Sequence, residues 1–126
     1  MKKTLANIDA LLPHEHTDNE NFRKIFCEIA KANAVFPIIA DERTLVVLDG
    51  HHRLESLKKL KAKRAPVILV DYFSEDVKVE QWRRDVPVSK EEVIRRGLKG
   101  ELFLPKTSKH THHFRTDTPV ELNILL

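Results

Sequence analysis

The sequence has little cysteine and no long apolar run. Because Cys27 is the only cysteine, no internal disulfide can form, and its apolar neighbours predict a buried thiol. No segment approaches the about 18 consecutive apolar residues of a membrane-spanning helix. Residues 1–9 lack the apolar core of a signal peptide. We therefore expect a cytoplasmic protein that does not associate with membranes.

An excess of charge of one sign is also missing. The chain has 22 Lys and Arg against 19 Asp and Glu, and these residues form no long basic run. Nucleic-acid binding usually requires a concentrated basic surface, so we do not expect DNA as the partner. With 126 residues, of which 41% are hydrophobic, the chain has the size and composition of one ordinary domain. We predict a single domain over residues 1–126.

Three stretches have the spacing of amphipathic helices. In the first, Thr17 and Glu20 form a capping-box pattern, and the apolar positions that follow predict a helix to about Asn33. The second begins after Gly50. The third begins at the capping box formed by Ser89 and Glu92 and ends at a glycine, Gly97 or Gly100.

Short apolar runs between these helices predict strands. They cover residues 4–8, 36–39, 44–48, 65–72, 77–82 and 119–126. The polar segment 105–113 has the composition of a loop. Strands that alternate with helices predict an α/β (α+β) fold.

The segment from Asp49 to Arg53 is the candidate binding site. A strand that ends in Asp-Gly and continues directly into a helix leaves unpaired backbone N–H groups and the positive end of the helix dipole at one place, where anions bind. Gly50 permits a tight turn, and the side chains of His51, His52 and Arg53 add donors that suit phosphate. Asp49 either caps the helix or holds a magnesium ion. The alternative is a capped helix start that binds nothing.

The seven histidines suggest another alternative. They fall into three groups: His14 and His16, then His51 and His52, then His110, His112 and His113. Such groups can form a transition-metal site, which would make the protein a metal hydrolase. We rank this alternative low because a phosphate site accounts for the same residues without a transition metal.

The segment Val47–Leu57 resembles the signature of the ParB N-terminal and sulfiredoxin-like superfamily. The resemblance implies one domain in which helices flank a small mixed sheet. Sulfiredoxins carry a catalytic cysteine where this sequence has His51, so sulfiredoxin activity is not expected. DNA-partitioning ParB proteins carry a helix-turn-helix domain after this module, and we do not expect the present residues to form one.

Three further segments resemble the free serine kinases of this superfamily, which transfer phosphate from ADP or ATP to L-serine. The segments are residues 12–15 (Leu-Pro-His-Glu), 81–83 (Gln-Trp-Arg) and 105–110 (Pro-Lys-Thr-Ser-Lys-His). Those kinases are longer, and the resemblance places the stretch that is missing here between Trp82 and Pro105. A phosphotransferase that uses ADP or ATP with Mg²⁺ is therefore expected.

The resemblance also implies roles for individual residues. Glu15 is the expected catalytic base at the serine hydroxyl, and Asp49 is the expected second catalytic group and magnesium ligand. The phosphates are expected at residues 50–53. The expected substrate-binding residues are Trp82, Lys106, Thr107 and His110. The main alternative is a non-catalytic ParB-like regulator that binds nucleotide and binds DNA weakly or not at all.

Overall fold

The computed structural model describes residues 2–114 and 117–126. The first half of the chain forms β1 (Lys2–Asn7), a 3-10 turn (Ile8–Ala10), α1 (Asn19–Ala32), β2 (Ala34–Val35), β3 (Ile38–Asp41), β4 (Val47–Asp49) and α2 (His51–Lys59). The second half forms β5 (Arg64–Val70), β6 (Val77–Gln81), α3 (Lys90–Lys99), β7 (Ser108–His112), β8 (Val120–Glu121) and α4 (Leu122–Leu125).

The main sheet has four strands in the order β1, β5, β3, β4. The pairing of β3 with β5 is parallel, whereas β1 with β5 and β3 with β4 are antiparallel. Two smaller antiparallel pairs accompany it, β2 with β8 and β6 with β7. The predicted α/β fold with a small mixed sheet is therefore confirmed.

Both faces of the main sheet are covered by apolar side chains. Successive residues of a strand point to opposite faces, so Ile38 packs in one core cluster and its neighbour Ile39 in the other. The first cluster includes Ile29 of α1 and Leu54 of α2, and the second includes Val93 of α3. The two layers hold the carboxyl end of β4 and the start of α2 in a fixed position.

Helix α1 corrects two predictions. Its N-cap is Asp18, whose side chain accepts a hydrogen bond from the backbone N–H of Asn21, and not Thr17. Cys27 is exposed, whereas the sequence predicted a buried thiol. The buried side of α1 includes Ile29. Cys27 is two residues before Ile29, and residues two apart in an α-helix point in nearly opposite directions, so Cys27 faces away from the core.

The polar segment 105–113 was expected to be a loop, and this prediction was wrong. Residues 108–112 form β7, which pairs with β6 in the register that joins Val79 to His110. Half-buried residues alternate with exposed ones along β7. A strand needs only one packed face, so its composition can be polar when that face borders a polar cavity.

The chain end also differs from the prediction. The expected strand over residues 119–126 is reduced to Val120–Glu121, and the short helix α4 follows it. Leu122 and Leu125 of this helix are buried in the first core cluster. Their spacing of three residues places both on one side of a helix, whereas in a strand they would point to opposite faces.

Candidate active site

A cavity of about 330 Å³ lies where β4, the start of α2, the loop before α1 and the β6–β7 pair meet. Its walls include residues 49–53 together with Glu15, Trp82 and His110. The sequence had placed all of these in the site, although they come from four separate segments. Lys106 and Thr107, the other two predicted residues, are not part of the cavity wall.

The N-terminus of α2 opens into this cavity. Gly50 is the N-cap and has a φ angle of 105°, in the region that favours glycine. Among the described residues no side chain caps this helix end, so Asp49 is not the cap that the sequence had allowed. The first backbone N–H groups of the helix, at residues 51–53, have no intrahelical acceptor and are available to an anion.

The side chains of His51 and His52 hold the loop before α1. Nε2 of His51 accepts a hydrogen bond from the backbone N–H of His14 at 3.2 Å, and Nε2 of His52 accepts one from Asp18 at 3.3 Å. Burial lowers the pKa of His51 well below its usual value. His51 therefore carries no positive charge at neutral pH, and its contribution to anion binding is limited to its backbone N–H and ring.

Positive charge in the cavity wall comes from Arg53 and Lys109. The Arg53 guanidinium donates to the carbonyl of Pro37 at 2.9 Å and lies 5.8 Å from the centre of the Phe36 ring. One contact with a neutral carbonyl leaves most of its five N–H donors available. Lys109 is exposed. Both cations can therefore reach a bound anion.

Glu15 is held by donors from the start of β7. Its Oε1 accepts from the backbone N–H of Ser108 at 2.8 Å, from the Ser108 hydroxyl at 2.9 Å and from the backbone N–H of Thr107 at 3.3 Å. Within residues 2–114 and 117–126, no group bonds to Oε2. The carboxylate is oriented through one oxygen, and the other oxygen is free to accept a proton.

His14 precedes Glu15 in the loop before α1 and is fully buried. Its Nδ1 lies 2.7 Å from the carbonyl oxygen of Val47, and its Nε2 lies 2.8 Å from the hydroxyl of Ser108. Because a carbonyl only accepts, Nδ1 carries the hydrogen. Burial lowers the pKa of His14 to about 4, so the ring is neutral at pH 7.

His110 is neutral for the same reason. Burial lowers its pKa to about 3, and the nearby His14 ring adds to this effect. The hydroxyl of Tyr72 lies 2.8 Å from Nε2 of His110, and burial raises the pKa of Tyr72, so the phenol keeps its hydrogen and donates it. His110 thus offers its ring to the cavity without a charge.

Asp49 contacts His112, a residue to which the sequence assigned no role in phosphate or substrate binding. Its Oδ2 lies 3.1 Å from Nε2 of His112, and its side chain is 51% exposed. Nδ1 of His112 is buried and has no hydrogen-bond partner among the described residues. The contact orients one carboxylate oxygen of Asp49 and leaves the other open to the cavity.

The remaining predicted residues have different surroundings. Trp82 lies at the cavity wall with 57% of its surface exposed, and the ammonium of Lys109 is 4.8 Å from the centre of its ring. The hydroxyl of Thr107 donates to the carbonyl of Leu104 at 2.7 Å, so Thr107 takes part only through its backbone bond to Glu15. Lys106 is exposed, and its charge acts on Asp18.

Five residues of the cavity wall were not predicted as site residues, namely His16, Ile25, Leu48, Ser108 and Lys109. The support that His14 and His112 give to the site was also missed. Ser108, His110 and His112 alternate along β7, which places them on one face of the strand. This period of two was the available signal, and the polar composition of the segment concealed it.

A transition-metal site is the alternative that the three groups of histidines suggested. Among residues 2–114 and 117–126, no group of three or more His, Cys, Asp or Glu side chains is arranged to hold a metal ion. The histidines instead bond to backbone groups, Ser108, Tyr72 and Asp49.

None of the helices in the described part of the chain has both the length and the apolar character needed to cross a membrane.

No family model matches the chain, but several relatives do. An ATP-dependent L-serine kinase of Desulfurococcus mucosus is 36% identical over 108 residues, which is 78% of this chain and 42% of the relative. An ADP-dependent L-serine kinase of Thermococcus kodakarensis is 38% identical, over 60% of this chain and 33% of the relative. A ParB-like protein of Sulfolobus acidocaldarius is 40% identical, over 59% of this chain and 37% of the relative.

Solved structures share the fold. A conserved hypothetical protein of Pyrococcus furiosus superposes with a TM-score of 0.88 at 20% identity, over 100% of this chain and 98% of that chain. A free serine kinase in complex with AMP superposes with a TM-score of 0.86 at 19% identity, over 98% and 93%. At these identities the superpositions show the fold alone.

These matches confirm the resemblance that was identified from the sequence motifs. The relatives include both serine kinases and a ParB-like protein, as expected for the superfamily. The alignments span 33–42% of the length of the curated relatives named above. Activity, substrate and partners are therefore inferred from the site of this chain, with the relatives as support.

Proposed function

We propose that the protein is a small-molecule kinase that transfers a phosphoryl group from ADP or ATP to the hydroxyl of L-serine, giving O-phosphoserine. The observation that carries this proposal is the free Oε2 of Glu15 in the same cavity as the open N-terminus of α2. One group can accept a hydroxyl proton and the other can bind phosphate, as phosphoryl transfer requires. Relatives named L-serine kinases support the choice of acceptor.

The nucleotide phosphates bind at residues 50–53 in this proposal. The backbone N–H groups of the first helical turn contact phosphate oxygens, and Arg53 and Lys109 supply charge. These donors stabilise the negative charge on the transferring group. His51 and His110 remain neutral and shape the cavity without charge.

Magnesium is part of the proposal, and Asp49 is the residue that would hold it. Mg²⁺ is commonly bound by one or two carboxylates together with substrate phosphates and water. Asp49 fits this pattern because it is a half-exposed carboxylate next to the helix N-terminus, with His112 orienting one oxygen. When bound, the ion would supply positive charge to the phosphates.

Trp82 and Lys109 form the part of the cavity wall that is suited to an amino acid. The indole offers an apolar surface, and the ammonium beside it can pair with the carboxylate of serine. The hydroxyl of the same molecule would then be directed to Glu15. In this proposal Lys109 takes the direct substrate contact that was predicted for Lys106 and Thr107, because Lys109 lines the cavity and the other two do not.

Separation of nucleotides by chromatography tests the proposal. The protein is incubated with Mg²⁺ and either ADP or ATP, with and without L-serine. The proposal predicts that AMP forms from ADP, or ADP from ATP, only when serine is present. Two results would exclude the serine kinase: nucleotide conversion at the same rate without serine, or no conversion of either ADP or ATP when serine is present.

A non-catalytic nucleotide-binding regulator is the second candidate, because the ParB-like relative is 40% identical to this chain. A regulator would bind nucleotide at the same helix N-terminus but would leave serine unchanged. DNA binding is a further property to measure for it. Tight, sequence-specific binding to duplex DNA at about 0.15 M salt would favour the regulator over the kinase.

A further inference from the structure

The hydroxyl of Ser108 lies between two acceptors. It is 2.9 Å from Oε1 of Glu15 on one side and 2.8 Å from Nε2 of His14 on the other. Both distances are normal for hydrogen bonds to a hydroxyl. A serine hydroxyl, however, has one hydrogen to donate.

His14 cannot supply the missing hydrogen. Its Nδ1 carries the ring hydrogen, because Nδ1 faces the carbonyl of Val47 at 2.7 Å. The full burial of the ring disfavours a second proton. Nε2 of His14 is therefore an acceptor only.

The number of hydrogens available for the contacts among Glu15, Ser108 and His14 depends on whether Glu15 is ionised or protonated. With Glu15 ionised, the Ser108 hydrogen goes to Oε1 or to Nε2 of His14, and one of the two contacts has no hydrogen. An ionised carboxylate is the stronger acceptor, so the hydrogen goes to Glu15. With Glu15 protonated, its carboxyl group is a weaker acceptor, and the neutral imidazole competes successfully.

We propose that Ser108 and His14 are positioning residues for Glu15, in which the Ser108 hydroxyl donates to Glu15 while that carboxylate is ionised and turns to Nε2 of His14 once Glu15 has taken up a proton. This proposal rests on the proposed function. As the serine substrate's oxygen bonds to the terminal phosphorus of the nucleotide, the bond from that phosphorus to the bridging oxygen breaks and AMP (from ADP) or ADP (from ATP) leaves. The serine O–H bond breaks in the same step, and its proton goes to Oε2 of Glu15. Ser108 only rotates its hydroxyl, and His14 gains no proton.

The pair has a consequence for catalysis. Donation from Ser108 holds the ionised carboxylate in place before the reaction. The second acceptor on His14 keeps the Ser108 hydroxyl bonded after the proton has moved, which reduces the cost of protonating Glu15. A site with the hydroxyl but without His14 would hold the carboxylate equally well and make it a weaker base.

Other titratable and charged groups also face this cluster. His51 and His110 are in ring contact with His14. The cavity next to Glu15 is further lined by His16, Asp49, His52, Arg53 and Lys109. These groups are the same in every variant below, so a comparison between variants isolates the contribution of Ser108.

Nitrogen-15 NMR of the His14 ring at pH 7 tests the switch without any turnover. Glu15→Gln replaces the ionised carboxylate by a neutral group and should release the Ser108 hydrogen to His14. We expect the Nε2 resonance of His14 to move upfield by several ppm, as it does when a neutral imidazole nitrogen accepts a hydrogen bond. In Ser108→Ala the same substitution at Glu15 should produce no such shift. A His14 resonance that does not respond to Glu15→Gln in the parent would overturn the proposal.

Kinetics then test the role in catalysis, provided that the parent forms phosphoserine. Ser108→Ala removes a hydrogen-bond donor that stabilises the ionised form of Glu15 more than the protonated form. We expect turnover to fall several-fold at an unchanged nucleotide affinity, with the acid limb of the rate profile moved to higher pH. Ser108→Thr keeps the hydroxyl and should restore both.

The two readouts separate the possible failures. A parent that makes no phosphoserine contradicts the proposed function, while the NMR response still decides whether Ser108 switches acceptors. An active parent whose rate and acid limb are both unaffected by Ser108→Ala contradicts the role of the pair in catalysis.

Discussion

At the scale of single residues, burial changes what the histidines of the site can do. His14, His51 and His110 are held neutral because burial lowers each pKa. They act as hydrogen-bonding groups that orient the loop before α1, Ser108 and Tyr72. The positive charge that the proposed phosphoryl transfer needs is left to Arg53, Lys109 and the helix N-terminus.

The first prediction concerns Glu15. Glu15→Gln keeps the size of the side chain and an oxygen that can accept from the backbone of Ser108, but it removes the base. We expect turnover to fall about 10²-fold or more, the usual scale for general-base catalysis, with little change in nucleotide affinity. Initial rates of phosphoserine formation and calorimetric titration with nucleotide measure the two effects.

Glu55→Gln is the matched control, because Glu55 is an exposed carboxylate on α2. It should leave both the rate and the affinity unchanged. A Glu15→Gln protein that retains turnover within a few-fold of the parent would exclude Glu15 as the base, and Asp49 would be the next candidate.

The second prediction concerns Arg53. Arg53→Ala removes a charge-assisted hydrogen bond to phosphate and should weaken nucleotide binding by about 1.5–3 kcal/mol. Calorimetry measures the affinity, and thermal unfolding measures the effect of losing the contact with Pro37. Arg64→Ala, at an exposed position at the start of β5, is the control. Equal nucleotide affinity in the parent and Arg53→Ala would contradict phosphate binding at this helix end.

At the scale of elements, α3 packs closely on the sheet at Gly97. A Cβ atom added to Gly97 would lie 2.7 Å from a methyl carbon of Val46. Real contacts of this kind are longer, so a side chain at residue 97 requires the helix or Val46 to move. This contact fixes the distance between α3 and the residues that lead into β4.

The third prediction follows from this contact. Gly97→Ala should lower the free energy of unfolding by about 1–3 kcal/mol, the usual cost of overpacking. In a Val46→Ala background the same substitution should cost less, because the side chain that it meets is smaller. Chemical denaturation of the four proteins gives the coupling energy. Equal costs of Gly97→Ala in both backgrounds would show that Val46 does not restrict α3.

The helices were predictable because each carries a local signal. The spacing of apolar residues and the cap at Ser89 identified α3, and Asp-Gly identified the turn into α2. The strand β7 was missed because it depends on pairing with β6, and a polar segment carries no apolar alternation that would indicate such a strand. The observed N-cap of α1 is Asp18, one residue after the predicted Thr17, because Thr and Asp can both cap a helix and the two residues are adjacent.

The site was predictable where it coincides with a motif. Residues 49–53 follow from the geometry of a strand that continues into a helix, and Glu15 and Trp82 follow from the resemblance alone. The bonds of Glu15 to Ser108 and of Asp49 to His112 span 93 and 63 residues of sequence. No local pattern indicates such contacts, and burial of the histidines, which decides their charge, depends on the complete fold.

At the scale of the whole molecule, the buried histidines predict how stability depends on pH. An unfolded histidine binds a proton below pH 6.5, whereas folded His14 does so only at about pH 4 and His110 at about pH 3. Between these values the unfolded state binds more protons, so stability falls as the pH is lowered from 6.5 towards 4. Each such histidine contributes about 1.4 kcal/mol per pH unit within its window.

Chemical denaturation at several pH values between 7 and about 4 tests this fourth prediction. His110→Gln removes one of the groups and should make the dependence on pH shallower. A free energy of unfolding that stays constant across this range, or a slope that His110→Gln does not change, would contradict the neutral state of these rings.

The central claim is that this cavity phosphorylates the hydroxyl of serine. Phosphorus-31 NMR of the protein with Mg²⁺, L-serine and either ADP or ATP tests it most directly, because the resonance of O-phosphoserine, assigned by adding the authentic compound and distinguished from that of AMP, reports the product itself. We predict that this resonance appears with one or both nucleotides, is absent when L-alanine replaces L-serine, and is strongly reduced in Glu15→Gln. Spectra in which nucleotide binds but no O-phosphoserine resonance forms with either donor would contradict the account.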